Sequence, residues 1–325
     1  MTYRRKNMRI VNTCHYANLP KEHPAFQRVL EKAEFVTCEK KQLTSEELLE
    51  FVQGADALIS GTDFIREDLL ERFPKSLKVI SRPAVGYDRV DVAAARRLGI
   101  DVCNAPGSNC ESVADYIMAL MIMGARDIYN NICDVRSGKW GCRHKGVGLK
   151  GKTVGIVGLG AIGKSVTRRC SGFDMKVVAY DPYIDTDFCR ENGVTSLSLD
   201  ELLACSDFIV LALPLMESTY HIIDAEAISK MKDGVIIAND ARGGVVDAAA
   251  MVAALKSGKV GFYATDVTDP EPPSPDDELL HLENCIVTSH IGAETTDATN
   301  NMMAMALTNA MDVLEGKDCK NIVNR

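Results

Sequence analysis

Lys152-Thr-Val-Gly-Ile-Val-Gly-Leu-Gly-Ala-Ile-Gly-Lys164, followed by Val177-Val-Ala-Tyr-Asp181, is the stretch that decides the fold. A short apolar strand runs directly into Gly158-x-Gly160-x-x-Gly163. An amphipathic segment follows, then a second apolar run that ends in an acid about 20 residues on. Each part has a physical task. Gly158 permits a tight turn, Gly160 lets the backbone approach a pyrophosphate, and Gly163 lets the helix pack closely on its strand. The helix N-terminus offers free N–H groups and partial positive charge to phosphates. Asp181 accepts hydrogen bonds from ribose hydroxyls and repels a 2′-phosphate. The run therefore predicts a dinucleotide site for NAD rather than NADP. The plainer reading of the glycines alone is a tight βα turn in some other α/β protein.

The chain has 325 residues, more than one average core holds, so two domains are expected. A net charge of −8 argues against nucleic acid or an anionic membrane as partner. No apolar run approaches the roughly 20 residues that span a bilayer. The start, Met1-Thr-Tyr-Arg-Arg-Lys6, is basic, but no apolar stretch follows it as in a signal peptide. The 11 cysteines are scattered, with no CxxC pair and no Cys/His cluster at zinc-ligand spacing. Reduced thiols in a cytoplasmic protein without a bound metal are the expectation.

Strands and helices alternate almost throughout. Arg9–Asn12, Ala57–Ser60, Lys78–Ser81 and Ile100–Asn104 read as strands. Glu22–Lys32, Ile65–Phe73 and Asp91–Leu98 read as helices, the last stopped by Gly99. A long apolar helix over Ser112–Arg126 is either a core helix or a subunit contact. Beyond the fingerprint, strands are predicted at Phe208–Leu213, Val235–Asn239, Gly261–Asp266 and Cys285–Thr288. Helices are predicted over Asp247–Lys256, stopped at Gly258, and from about Thr296 to Glu315. Such alternation implies an α/β protein with doubly wound parallel sheets. Ligands bind such sheets at the carboxyl ends of the strands.

Arg242, Glu271 and His290 stand just past three of those strand ends. Singly, each has an ordinary reading: a surface charge, a loop acid between prolines, a structural histidine. Together they suit hydride transfer at a 2-keto acid. Arg242 can grip a carboxylate bidentately. His290 titrates near neutrality and can donate a proton to a carbonyl oxygen. Glu271, bonded to the other ring nitrogen, would fix the tautomer and raise the histidine pKa.

The chain resembles the D-isomer-specific 2-hydroxyacid dehydrogenase family over essentially its whole length. The resemblance rests on Gly86-Tyr-Asp-Arg-Val-Asp91, Asn104-Ala-Pro-Gly-Ser-Asn109, Gly158–Gly163, Leu213-Pro-Leu215, Ala241-Arg-Gly-Gly244 with Val246-Asp247, Asp266 with Glu271-Pro272, and His290-Ile-Gly292. It implies catalytic roles for Arg242, Glu271 and His290. It implies a discontinuous substrate domain (residues 1–105 and 292–325) around an NAD domain (residues 106–291), both Rossmann-like. The implied cofactor set is Gly158, Gly160, Ala161, Ile162, Gly163, Asp181, Leu213, Pro214, Ala241, Asp266, His290 and Gly292, with Asp266 near the nicotinamide amide. The implied substrate set is Ser60, Ala84, Val85, Gly86, Arg242 and His290, the 84–86 loop acting through backbone amides. An arm over about 108–148 that crosses to a second subunit implies a homodimer. Glu271, rather than Gln, points away from the formate dehydrogenases of the family. The family's C-terminal-binding-protein corepressors keep the same triad but act by binding peptides and sensing NAD(H).

Within the family, Ser81-Arg-Pro-Ala-Val-Gly-Tyr-Asp88 and Gly138-x-Trp140 resemble the phosphoglycerate dehydrogenase branch, and hydroxypyruvate or glyoxylate reduction is the alternative. That branch often has an Arg-Ser pair where this chain has Ser60-Gly61-Thr62. Arg143-His144-Lys145 either supplies an anion contact from a neighbouring subunit or is a solvated basic loop. Asn321-Ile-Val-Asn324 resembles a usual family end, without a regulatory amino-acid-binding domain. Asp240 replaces a small residue and either pairs with Arg242 or faces away.

Overall fold

The structure is a computed structural model and describes residues 8–143 and 145–325. The basic start Met1–Lys6 and His144 of the arm lie outside the described residues. In chain order the first elements are β1 (Met8–Asn12), α1 (Pro24–Lys32), β2 (Ala33–Thr37), α2 (Ser45–Phe51), β3 (Ala57–Ile59), α3 (Glu67–Leu70), β4 (Val79–Ser81), α4 (Val92–Arg97) and β5 (Asp101–Cys103). Then come α5 (Cys110–Arg126), α6 (Ile128–Arg136), β6 (Thr153–Val157), α7 (Ala161–Gly172), β7 (Lys176–Tyr180), α8 (Thr186–Asn192), β8 (Thr195–Ser196), α9 (Leu199–Cys205) and β9 (Phe208–Leu211). The run closes with α10 (Ala225–Lys230), β10 (Val235–Asn239), α11 (Ala248–Ser257), β11 (Val260–Thr265), β12 (Cys285–Val287) and α12 (Thr296–Leu314). Two compact units result: the described residues through Asn109 with Glu294–Arg325, and Cys110–Ala293.

The first unit is built on a five-stranded sheet in the order β2-β1-β3-β4-β5, all parallel. Its central strands carry nothing but buried residues, as a sheet covered on both faces requires. On one face α12 packs Met303, Ala306, Leu307, Ala310 and Met311 against Ile10, Ile59 and Val79. Ser81 Oγ donates to Ala306 O at 2.9 Å, and Asn309 Nδ2 donates to Asn104 O at 2.8 Å, so this helix is tied to the sheet as well as packed on it. The last residues lie along β5. Ile322 bridges Cys103, Val323 N donates to Val102 O, and the buried Asn324 side chain accepts from Val102 N and donates to Val92 O and Ile100 O.

The second unit holds a seven-stranded parallel sheet in the order β12-β11-β10-β9-β6-β7-β8. The chain winds outward in both directions from β6 and β9, the doubly wound Rossmann arrangement, and the switch point lies between those strands. The register is continuous at the carboxyl end. Val157 pairs with Leu211, Leu211 with Asn239, Asn239 with Thr265, and Thr265 with Val287. Helix α5 is a core helix. It buries Val113, Ile117, Leu120 and Met121 against this sheet, and each such side chain contributes on the order of 1.5–3 kcal/mol.

The structure departs from the periodicity in three places. The helix read over Ile65–Phe73 shrinks to α3, because Ile65 is extended and bridged to Val90 and Arg66 is an extended N-cap. Strand β2 follows α1 with no turn residue between them: Ala33 is both helix C-cap and first strand residue. Helix α6 buries none of its residues, so it lacks the inward apolar stripe that would announce it.

Asn324→Ala leaves the amide of Val102 and the carbonyls of Val92 and Ile100 without their partner. It is expected to destabilise the first unit by about 2 kcal/mol, read as a lower urea midpoint and faster amide exchange in β5.

Candidate active site

The fingerprint turn has the geometry a pyrophosphate requires. Gly158 sits at φ +99°, where its N–H bonds Tyr180 O at 2.8 Å and a Cβ would strike Ala212 O at 2.5 Å. A Cβ on Gly163 would collide with Gly158 O, so only glycine lets α7 start this close to the turn. At Gly160, by contrast, a Cβ would meet nothing within 4 Å: the N-terminus of α7 opens onto free space. No side chain caps it, so the amides at Ala161 and Ile162 are available to an anion. Asp181, at the end of β7, accepts from Leu159 N at 2.8 Å and from Tyr183 N at 2.8 Å. Those bonds fix its carboxylate beside the turn. Leu213 and Pro214 follow β9, with Pro214 O held by Thr219 Oγ1 at 2.6 Å. This cradle fits the dinucleotide read from the sequence.

The loops after β10, β11 and β12 carry Arg242, Glu271 and His290, the three side chains singled out in the sequence. Asn239, the last residue of β10, is fully buried. Its Oδ1 accepts from Ala241 N at 3.0 Å, while its Nδ2 donates to Arg242 O at 3.2 Å and to Tyr263 Oη at 3.0 Å. One amide side chain thus sets the path of the Arg242 loop. The half-buried Arg242 donates from Nη1 to Ala241 O at 2.7 Å. His290 lies in the left-handed region at φ +59°, an uncommon conformation for a side chain of its size. Its Nδ1 faces both Glu271 oxygens, at 3.1 and 3.2 Å. The hydrogen bond to Glu271 holds the His290 pKa above that of an ordinary histidine, against the opposing pull of burial and of the Arg242 charge. With Nδ1 engaged, Nε2 is the ring nitrogen left to exchange a proton with a ligand. Asp266 is fully buried and accepts from Gly292 N at 2.7 Å and Thr288 Oγ1 at 2.5 Å.

The first unit carries its own polar loop. The carbonyls of Ala84, Val85 and Gly86 accept from Ala105 N, Asn104 Nδ2 and Arg82 Nε. The three amides of that loop have no partner among the described residues, which leaves them open to an anion. Ser60 is buried and donates to Asp63 at 3.2 Å. At Gly61 a Cβ would stand 2.9 Å from both Cys14 Cα and Thr13 O, so no side chain, arginine included, fits there without moving backbone. Asn239 and Arg82 are the residues that sequence reasoning passed over. Arg82 is buried, and its Nη1 has no partner among the described residues. Its one sequence signal is its place three residues before Val85, within the Ser81–Asp88 run.

The family model described as D-isomer specific 2-hydroxyacid dehydrogenase, NAD binding domain, matches residues 118–292. The chain belongs to this family, and NAD is the cofactor of its second unit. A D-3-phosphoglycerate dehydrogenase of Archaeoglobus fulgidus is 40% identical over 286 residues, which are 88% of this chain and 54% of that protein. A hydroxypyruvate reductase of Thermotoga maritima is 42% identical over 290 residues, 87% of this chain and 92% of that one. The crystal structure of a glyoxylate reductase from Paecilomyes thermophila superposes with a TM-score of 0.85 at 30% identity, covering 98% of both chains. The chain spans about half the length (54%) of the archaeal phosphoglycerate dehydrogenases it matches.

Glu271→Gln replaces the charged acceptor on Nδ1 with a neutral one. The His290 ring is then expected to lose its proton at lower pH than in the wild type, read from the histidine signals in an NMR titration.

Proposed function

We propose that the protein is an NAD-dependent D-2-hydroxyacid dehydrogenase, with Arg242, Glu271 and His290 as its reactive side chains. The observation that carries this reading is the His290–Glu271 pair at 3.1 Å, placed by its strand-end loop within the field of Arg242. NAD(H), when bound, supplies or accepts a hydride. The chain's own work is binding and proton handling. Arg242 offers a planar fork of N–H donors to the substrate carboxylate. His290 Nε2 gives a proton to the C2 oxygen during reduction and takes it back during oxidation. Glu271 holds the ring in one tautomer and stabilises its cation.

Two substrate readings follow. The phosphoglycerate dehydrogenases among the relatives favour a C3-phosphorylated acid, with Arg143 or Lys145 of a second subunit as a phosphate contact. The backbone crowding at Gly61 favours an unphosphorylated acid such as hydroxypyruvate or glyoxylate. A homodimer is the proposed assembly. Tyr129 and Trp140 of the arm are 49% and 89% exposed, and Ile132 and Val135 of α6 are exposed as well. A second copy would cover them. The cytoplasm is the proposed location, on the cysteine pattern. No helix among the described residues is long and apolar enough to cross a membrane.

The test is NADH oxidation with 3-phosphohydroxypyruvate, hydroxypyruvate, glyoxylate and pyruvate, side by side. Clear preference for the first supports the phosphoglycerate reading, and preference for hydroxypyruvate or glyoxylate the reductase reading. NADH binding without turnover of any of the four would favour a corepressor-like NAD(H) sensor. His290→Gln is expected to lower kcat by roughly 10²–10⁴ while NADH still binds. Arg242→Lys is expected to raise KM by about tenfold or more, because an ammonium cannot reproduce the bidentate fork; an unchanged KM would move the carboxylate to another group.

A further inference from the structure

Asp240 directly follows β10, and its Oδ2 is sealed from solvent with no partner among the described residues. Its carboxyl is pressed against the backbone at Gly292, where a Cβ would collide with it. Asp266 meets the same residue, its Oδ2 accepting from Gly292 N at 2.7 Å, so the two carboxyls are neighbours. The oxygens of Asp266 already accept from Gly292 N and Thr288 Oγ1. Neighbouring buried carboxyls resist ionising together. Asp266 accepts two hydrogen bonds while the sealed Asp240 Oδ2 has none, so burial holds Asp240 in its neutral form.

The charged and titratable groups around Asp240 come from several elements. They are Asp266 beyond β11, His290 beyond β12 with Glu271 behind it, Arg242 on its own loop, and Tyr116 on α5. While Asp240 is neutral it adds no charge to the surroundings of Arg242 and His290. Once Asp240 ionises, its charge competes with any incoming carboxylate for the guanidinium and tightens the hold of His290 on its proton. We propose that Asp240 is a positioning residue, a protonated acid sealed against Gly292 beside Asp266, which keeps its negative charge away from Arg242 and His290 and so decides the pH range in which an anionic substrate is held. Burial, reinforced by the Asp266 charge, pushes the Asp240 carboxyl up to about 8, which places the change at mildly alkaline pH. The sign is fixed: below that value the acid is neutral and the site accepts an anion, and above it the site repels one.

The substrate part of this proposal rests on the dehydrogenase reading; the proton part does not. The experiment therefore has two arms. In the first, His290 of the ligand-free protein is titrated by NMR from acid to alkaline pH, in the wild type, in Asp240→Asn and in Asp240→Ser. The expected wild-type profile has two inflections, the upper one near pH 8, and both variants lose the upper one. A single wild-type inflection overturns the proposal whatever the variants do, as does an upper inflection that survives in a folded variant. In the second arm, KM for the preferred keto acid is followed against pH. In the wild type KM is expected to rise about tenfold per pH unit above that inflection with kcat changing far less, and in Asp240→Asn this rise is absent. A rise that persists unchanged in Asp240→Asn overturns the proposal. Absence of turnover on every keto acid would instead overturn the dehydrogenase reading and leave the NMR arm to decide Asp240.

Discussion

Everything chemical in the second unit hangs on the register of one row of paired residues. Val157, Leu211, Asn239, Thr265 and Val287 stand at the same level because the parallel ladders of β6, β9, β10, β11 and β12 end together. Five loops therefore leave the sheet along a single line. Gly158, Leu213, Arg242, Asp266 and His290 all lie within three residues of that line. A parallel sheet tolerates no slip here, since a shift of one residue would turn every buried side chain of a strand to the opposite face. Asn239 adds a further lock: its amide joins the end of β10 to the Arg242 loop and to Tyr263 of β11.

Electrostatics does the remaining work. The cluster at the strand ends contains carboxyls with different tasks. Glu271 pairs with an imidazole, Asp266 is satisfied by a backbone amide and a hydroxyl, and Asp240 is sealed against the backbone at Gly292. Burial and neighbours set these roles apart, although two of the three residues are of the same type. The left-handed backbone at His290 belongs to the same economy of space. It costs on the order of 1 kcal/mol or more, and it directs Nδ1 toward Glu271 over a very short loop.

Much of this was legible in the sequence. The glycine spacing, Asp181, and the Arg, Glu and His just past strand ends each carry a local signal, because a strand end can be found from the apolar run that precedes it. The fold class follows from the same alternation. Other parts depend on contacts between distant segments. Strand β2 has no turn residue ahead of it, and only its pairing with β1 makes it a strand. Helix α6 offers no buried stripe. Asn239 reads as the polar end of a strand until Tyr263 and Arg242 are placed around it. From its place in the chain, Asp240 either pairs with Arg242 or faces away. Its carboxyl instead lies against the backbone at Gly292, the residue whose amide Asp266 accepts, which no spacing along the chain discloses.

The way Asn324 and α12 complete the first unit bears on how the protein is made. The second unit is one continuous stretch, and its last strand has emerged once residue 293 clears the ribosome. The first unit is interrupted: its early strands are synthesised long before α12 arrives to cover Ile10, Ile59 and Val79, or the 321–324 segment to line β5. During elongation those strands expose an unfinished apolar face. The half of the molecule made first is thus the half finished last, and chaperone demand during synthesis falls on the amino-terminal sheet.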